Sequence, residues 1–98
     1  MLFSTNSITT VLDLKTTKRK YPEARIIVLD DNFNSFEHVA ICLIKIIPEM
    51  SKEKSWELTV AVDREGKAEV WRGPIEQAEL YNERMVNEGL TMEPIEKT

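Results

Sequence analysis

A small mixed α/β domain, running strand, helix, helix, strand, helix, strand, is predicted by three features of this 98-residue chain. The first is Arg25-Ile26-Ile27-Val28-Leu29, a β-branched run of strand length. The second is the recurrence of Phe36, Val39, Ala40, Leu43, Ile44 and Ile47 at spacings of three and four, the mark of one buried helical face. The third is Gly73-Pro74, a helix start, followed by an amphipathic run that ends near Gly89.

Residues 1–21 differ from the rest and are expected to form a flexible extension before a core domain at 22–98. Five threonines and two serines fall within Met1 to Lys20 without clear periodicity, and Tyr21-Pro22 punctuates the boundary. The strand follows, nearly buried on both faces. Asn34 is placed to cap the first helix, with Glu37 at the third helical position as a capping-box partner, and Pro48 stops it. Ser51 opens a second helix with Glu53 in its first turn. Leu58, Val60 and Val62 also alternate, so a hairpin turning at Asp63-Arg64-Glu65-Gly66 competes on propensity. The Ser51 start and the Trp56–Val60–Asp63 spacing favour a helix ended by Gly66, then a strand from Lys67 to Arg72. In the third helix Pro74 takes the first position, and Ile75, Ala78, Asn82, Met85 and Val86 lie along one side. Leu90 to Glu93 reads as a short strand, with Pro94 setting it at an edge or near an end.

Composition narrows the function. A net charge of −4 argues against general nucleic-acid binding, and the one basic cluster, Lys15 with Lys18-Arg19-Lys20, falls in the extension. The longest apolar runs, around Ala24 to Leu29 and Val39 to Ile44, are far too short to span a bilayer. The N-terminus lacks a secretory pattern, and a single cysteine, Cys42, suits a reducing compartment. A soluble, cytoplasmic monomer without nucleic-acid or membrane partners is the expectation. His38 and Cys42, four apart on one helix, have the spacing of two metal ligands; without further partners an ordinary packing pair is favoured. Trp56 and Trp71 are assigned to core or sheet packing.

The stretch Val28 to Val39, "VLDDNFNSFEHV", sets two adjacent carboxylates beside an apolar surface, which suits a ligand with a cationic end and an apolar side chain. It resembles the signature of the ClpS adaptor family, "NDD" followed by an aromatic, two small or polar residues and a large apolar residue before Glu. The resemblance continues through "REGKA" at Arg64 to Ala68. The ending "GPIEQAELYNERMVNEGLTMEPIEKT" is similar to the cyanobacterial branch, which often carries "EQAELY" and "GLTM". It covers roughly Ala24 to Lys97.

The resemblance implies an adaptor for Clp AAA+ proteases. Such a protein binds substrates through a bulky hydrophobic N-terminal residue, the N-degron, and delivers them to ClpC or ClpA working with ClpP. It further implies an αβ sandwich with a three-stranded antiparallel sheet on three helices, a mobile N-terminal extension that aids delivery, and neither cofactor nor catalysis. By position, Asp30, Asp31, Asn34, Phe36, Val39, Thr59, Val62 and Asp63 would line the N-degron pocket, and Glu76 would contact the Clp ATPase. On that reading Asp31 and Asp63 hold the α-amino cation, Asn34 fixes the peptide backbone, and the side chain packs on Val39 and Val62.

The sequence departs from the pattern at four places. Asp30 stands where most members have Asn, Phe36 where a Met often screens β-branched residues, and Tyr81 where a basic residue is common. Asp63 replaces a His that helps bind the α-amino group. Three carboxylates around one site repel when it is empty, and a bound cation relieves that repulsion. Asp63 therefore either keeps cation binding with altered specificity or marks a Clp ATPase-binding regulator that no longer reads N-degrons. An enzyme using the three aspartates has no nucleophile, metal set or phosphate loop to support it.

Overall fold

The computed structural model describes residues 22–97; the predicted N-terminal extension lies outside the described residues. Strand β1 spans Glu23–Leu29, helix α1 Phe36–Ile46, α2 Lys52–Glu65, β2 Lys67–Pro74, α3 Ile75–Asn87 and β3 Glu96–Lys97. This is an α+β fold of three helices packed with an antiparallel sheet. The sheet order is β2-β1-β3.

β1 is the central strand because its residues are apolar on both faces. Ala24, Ile26 and Val28 alternate at 0, 0 and 1% exposure, and Ile27 on the opposite face is buried too. It pairs along its full length with β2, from Glu23 opposite Pro74 to Leu29 opposite Lys67. The register slips between Ile26 and Ile27, which face Trp71 and Glu69, so Val70 is the extra residue of a bulge. The bulge resets the alternation, and β2 buries Val70 and then Gly73. Trp71 is thereby turned edge-on against Tyr81 of α3, ring centroids 5.1 Å apart. β2 continues two residues past the predicted Arg72.

The other edge of β1 carries the chain's end. Leu29 donates to the carbonyl of Thr91 (2.9 Å), Glu93 donates to that of Ile27 (3.0 Å), and Val28 bridges Met92. Regular strand is reached only at Glu96–Lys97, opposite Arg25 and Ala24. The strand expected at Leu90 to Glu93 is thus reduced to one bridge. Pro94, lacking an N–H, interrupts the pairing between bridge and strand.

The helix ends show why these segments stop. Ser35, not Asn34, caps α1, its Oγ accepting from the His38 N–H at 3.1 Å; Glu37 therefore stands second, outside the capping-box position. Asn34 has other partners, described below. Ser51 caps α2 by accepting from Lys54 (3.0 Å), and Gly66 ends it in the left-handed region at φ 91°. Helix, not hairpin, is the outcome for residues 52–65. Pro74 occupies the N-cap of α3 rather than its first turn, and Ile75 donates to the carbonyl of Pro22. At the far end Gly89 (φ 93°) donates to Val86 and Leu90 to Met85, a Schellman pair.

The core joins β1 to Val39, Cys42, Leu43, Ile46 and Ile47 of α1 and its cap, and to Ala78, Tyr81 and Met85 of α3. The buried face of α1 is rotated from the predicted one: Cys42 and Ile46 are inside, while Ile44 is 40% exposed. The inward face of α2 is Ser55, Thr59 and Val62, one step from the predicted Trp56–Val60–Asp63 line. Its small polar members are satisfied, Ser55 donating to the Ala40 carbonyl (2.7 Å) and Thr59 to that of Ser55 (2.8 Å). Trp56 is consequently exposed rather than core. In the second half of α3 Met85 is buried as the spacing predicts, while Tyr81 takes the inward place expected of Asn82 and Val86. Among the described residues no helix is long and apolar enough to cross a membrane.

Gly73 has no room for a side chain, because a Cβ there would lie 2.4 Å from the Trp71 ring. Relief requires the ring to lift off Tyr81 or the strand to shift, so Gly73→Ala is expected to cost about 1–3 kcal/mol. Urea denaturation followed by tryptophan fluorescence checks this; an unchanged midpoint would show that the ring moves freely.

Candidate functional site

The corner between β1 and α1 begins with two consecutive aspartates at a strand end, where successive side chains point to opposite faces. Asp30 is exposed, and its N–H donates to the Gly66 carbonyl (2.9 Å), drawing the end of α2, with Asp63, toward the corner. Asp31 turns the other way. Its Oδ1 accepts from the N–H groups of Phe33 (2.9 Å) and Asn34 (2.8 Å). Its Oδ2 accepts from the Thr91 hydroxyl (2.6 Å) and the Asn34 amide (2.7 Å).

Four hydrogen bonds fill the acceptor sites of the Asp31 carboxylate. Each favours the ionised form, that from Thr91 most, and together they hold its pKa well below the usual carboxylate range against the opposing effect of desolvation. Asn34 gives its remaining amide proton to the Gly89 carbonyl (3.0 Å). The corner is therefore pinned at both Thr91 and the turn after α3.

Beside it lies a cavity of about 40 Å³ lined by Asp30, Asn34, Ser35, Phe36, Val39, Thr59, Val62 and Asp63. Seven predicted site residues meet here, from the corner, α1 and α2. Asp31 does not line the cavity; it holds the corner that does. Ser35 was missed, although its hydroxyl type and position before the helix are visible in the sequence. Phe36 packs edge-on against Trp56, centroids 4.5 Å apart at 62°, so a largely exposed tryptophan backs the aromatic wall. Glu76 lies elsewhere, in a separate cavity with Pro22, Pro74 and Ile75 at the start of α3.

The cavity offers two carboxylates, Asp30 and Asp63, near an apolar floor of Val39 and Val62. Such a site can hold a cation with an attached apolar group. Among the described residues, the group able to converge on a metal ion is His38, Cys42 and Glu88, which is not part of this cavity.

Comparison with known proteins identifies the family. The profile of the family "ATP-dependent Clp protease adaptor protein ClpS" matches residues 19–93. The chain belongs to the ClpS family. It is 54% identical over 82 residues to the ClpS adapter of Thermosynechococcus vestitus, covering 84% of this chain and 87% of that one. It is 52% identical over 82 residues to that of Synechocystis, covering 84% of each. The fold is shared with Agrobacterium tumefaciens ClpS2, solved bound to L-phenylalaninamide. The TM-score is 0.68 at 20% identity, covering 79% of this chain and 98% of that one. The family is one of protease adaptors, not of catalysts.

A carboxylate whose pKa is depressed by folding contributes stability that is full above its unfolded value, about 3.9, and fades as the pH falls through the folded one. Asp31→Asn keeps the shape but puts an amide where two donors converge. Its urea midpoint is expected below wild type at pH 7, with the gap narrowing under acid as the wild-type carboxylate is protonated. A gap that stays constant into acid would remove charge from the explanation.

Proposed function

We propose that this chain is an N-degron adaptor: it binds proteins by a free α-amino group and a bulky hydrophobic first side chain and delivers them to a ClpC- or ClpA-type unfoldase working with ClpP. The observation carrying the reading is that seven of the expected residues, spread along the sequence from Asp30 to Asp63, line one cavity with carboxylates beside an apolar floor. The ligand of the Agrobacterium protein, L-phenylalaninamide, has both a free amino group and an aromatic side chain, and so belongs to the same chemical class.

In this mechanism Asp30 and Asp63 accept from the α-ammonium, the role first assigned to Asp31 and Asp63. A charge-assisted hydrogen bond of that kind contributes about 1.5–3 kcal/mol. The Asn34 amide protons are committed to Asp31 and Gly89, which leaves its oxygen to accept from a peptide N–H. Burying a Leu or Phe side chain on Val39, Val62 and Thr59 adds roughly 1.5–3 kcal/mol. After association costs these contributions give affinity in the micromolar range. Acetylating the α-amino group removes the charge, and free ammonium relieves the repulsion between the two aspartates.

A cavity of about 40 Å³ is well below the ~150 Å³ that holds a benzene-sized group. Seating a large side chain therefore requires the aromatic wall of Phe36 and Trp56 to open. That small volume, with Asp63 at the family's histidine position, favours one second reading: a regulator that docks on a Clp ATPase without reading N-termini.

Fluorescence anisotropy with labelled peptides beginning with Leu, Phe, Tyr or Trp, each beside its N-acetylated form, separates the two. Binding that acetylation abolishes, and that Asp30→Asn or Asp63→Asn weakens about tenfold or more, is expected. No peptide binding by a protein that still captures ClpC or ClpA would establish the docking-only regulator. In the same capture assay Glu76→Arg is expected to weaken the ATPase interaction without changing peptide affinity.

A further inference from the structure

We propose that His38, Cys42 and Glu88 form a binding site for a thiophilic divalent metal ion, zinc being the best match, that staples α1 to the turn following α3. The site is separate from the N-degron cavity and does not depend on that function. Its three side chains bring together an imidazole, a thiol and a carboxylate, with one ligand atom of each lying within 4.8 Å of the others. The sequence alone offered two of them. The third is supplied by the fold, which carries the end of α3 back across α1.

The distances suit a tetrahedral ion. The Cys42 Sγ lies 3.6 Å from His38 Nε2 and 4.0 Å from Nδ1. Bonds of about 2.3 Å to sulfur and 2.0–2.1 Å to nitrogen at a tetrahedral angle put those two atoms about 3.6 Å apart. The Glu88 carbonyl oxygen is 2.8 Å from Nε2. The 3.6 Å separation fits ligation through Nε2, which gives up its bond to that carbonyl for the ion; ligation through Nδ1 keeps the bond as an outer-shell anchor but needs the thiol, now 4.0 Å away, to close in. Lys45 holds the Glu88 carboxylate through Oε2 at 2.9 Å, and the other carboxylate oxygen can face the ion.

Burial and charge are consistent with the assignment. Cys42 is 1% exposed while His38 and Glu88 are half-buried, so one side is closed by the core and a water can complete the coordination from the other. Thiolate and carboxylate together neutralise a divalent cation, and a neutral imidazole adds no charge. Binding forms a metal–sulfur bond and breaks the S–H bond, releasing one proton to solvent with no change of oxidation state. Burial and the nearby Glu88 raise the thiol's pKa, and the ion must overcome that cost.

His38 and Cys42 are the chain's only histidine and cysteine, so a spectroscopic thiolate signal is assigned without ambiguity. The test is titration of the full, metal-free chain with Co²⁺ followed by absorbance. Expected are a sulfur-to-cobalt charge-transfer band and tetrahedral d–d bands saturating at equimolar metal, and their loss on adding Zn²⁺. Cys42→Ser abolishes the band, and His38→Gln and Glu88→Gln each weaken binding about tenfold or more. Circular dichroism of the metal-free variants checks that they are folded. The two ligand variants that retain Cys42 decide the matter if the serine variant does not fold. No thiolate band at millimolar Co²⁺ would overturn the proposal. So would a band of unchanged affinity in both His38→Gln and Glu88→Gln, which would reduce the site to a lone thiol.

Discussion

The corner around Asp31 determines where every other part of the site stands. One carboxylate accepts two backbone N–H groups from the turn that follows it, a side-chain amide from that turn, and a hydroxyl from Thr91, 60 residues later. Those bonds fix the direction in which the chain leaves β1 and enters α1. Asn34, held by Asp31, reaches the Gly89 carbonyl and ties the same corner to the turn after α3. A turn of this length would otherwise fray, since it has few apolar contacts of its own: Phe33 is 91% exposed.

Because strand side chains alternate, pinning Asp31 behind the corner presents Asp30 in front of it. The consecutive carboxylates thus have different tasks. Asp31 is saturated by donors and stays ionised as a structural anchor, whereas Asp30 lines the cavity with Asp63. The site is assembled on a strand end and two capped helices, which hold the two carboxylates at a fixed distance from the apolar floor. An adjoining face of α1 carries His38 and Cys42, so the helix that supplies Phe36 and Val39 to the cavity is also tied, through His38 and the Glu88 carbonyl, to the α3 turn.

Much of the fold was legible because it rests on local chemistry. The β-branched run at Ile26 to Leu29, the Ser51 cap and the left-handed Gly66 and Gly89 each act within a few residues of themselves. The family signature located seven of the cavity's eight lining residues. What stayed hidden depended on partners remote in sequence. Ser55 and Thr59 face inward because α1 presents the Ala40 carbonyl to Ser55, which no periodicity reveals, and this choice of face exposes Trp56. Ser35 and Asn34 are both competent caps; Asn34 is diverted by Asp31 and Gly89, so Ser35 takes the role. The Val70 bulge shifts the alternation of β2, and Pro94 divides the expected final strand. Asp31 looked like a ligand for the same reason it is an anchor, since a carboxylate at a turn accepts whatever donors the fold brings, and Thr91 is visible only in three dimensions.

The most direct test of the account is a crystal structure of the protein bound to a peptide beginning with phenylalanine. The account predicts the α-nitrogen within hydrogen-bonding distance of the Asp30 and Asp63 carboxylates, the ring over Val39 and Val62 with Phe36 displaced, and the Asp31–Thr91 bond intact. An α-nitrogen bound instead to Asp31, with Thr91 released, would contradict the assignment of anchor and ligand to the two aspartates.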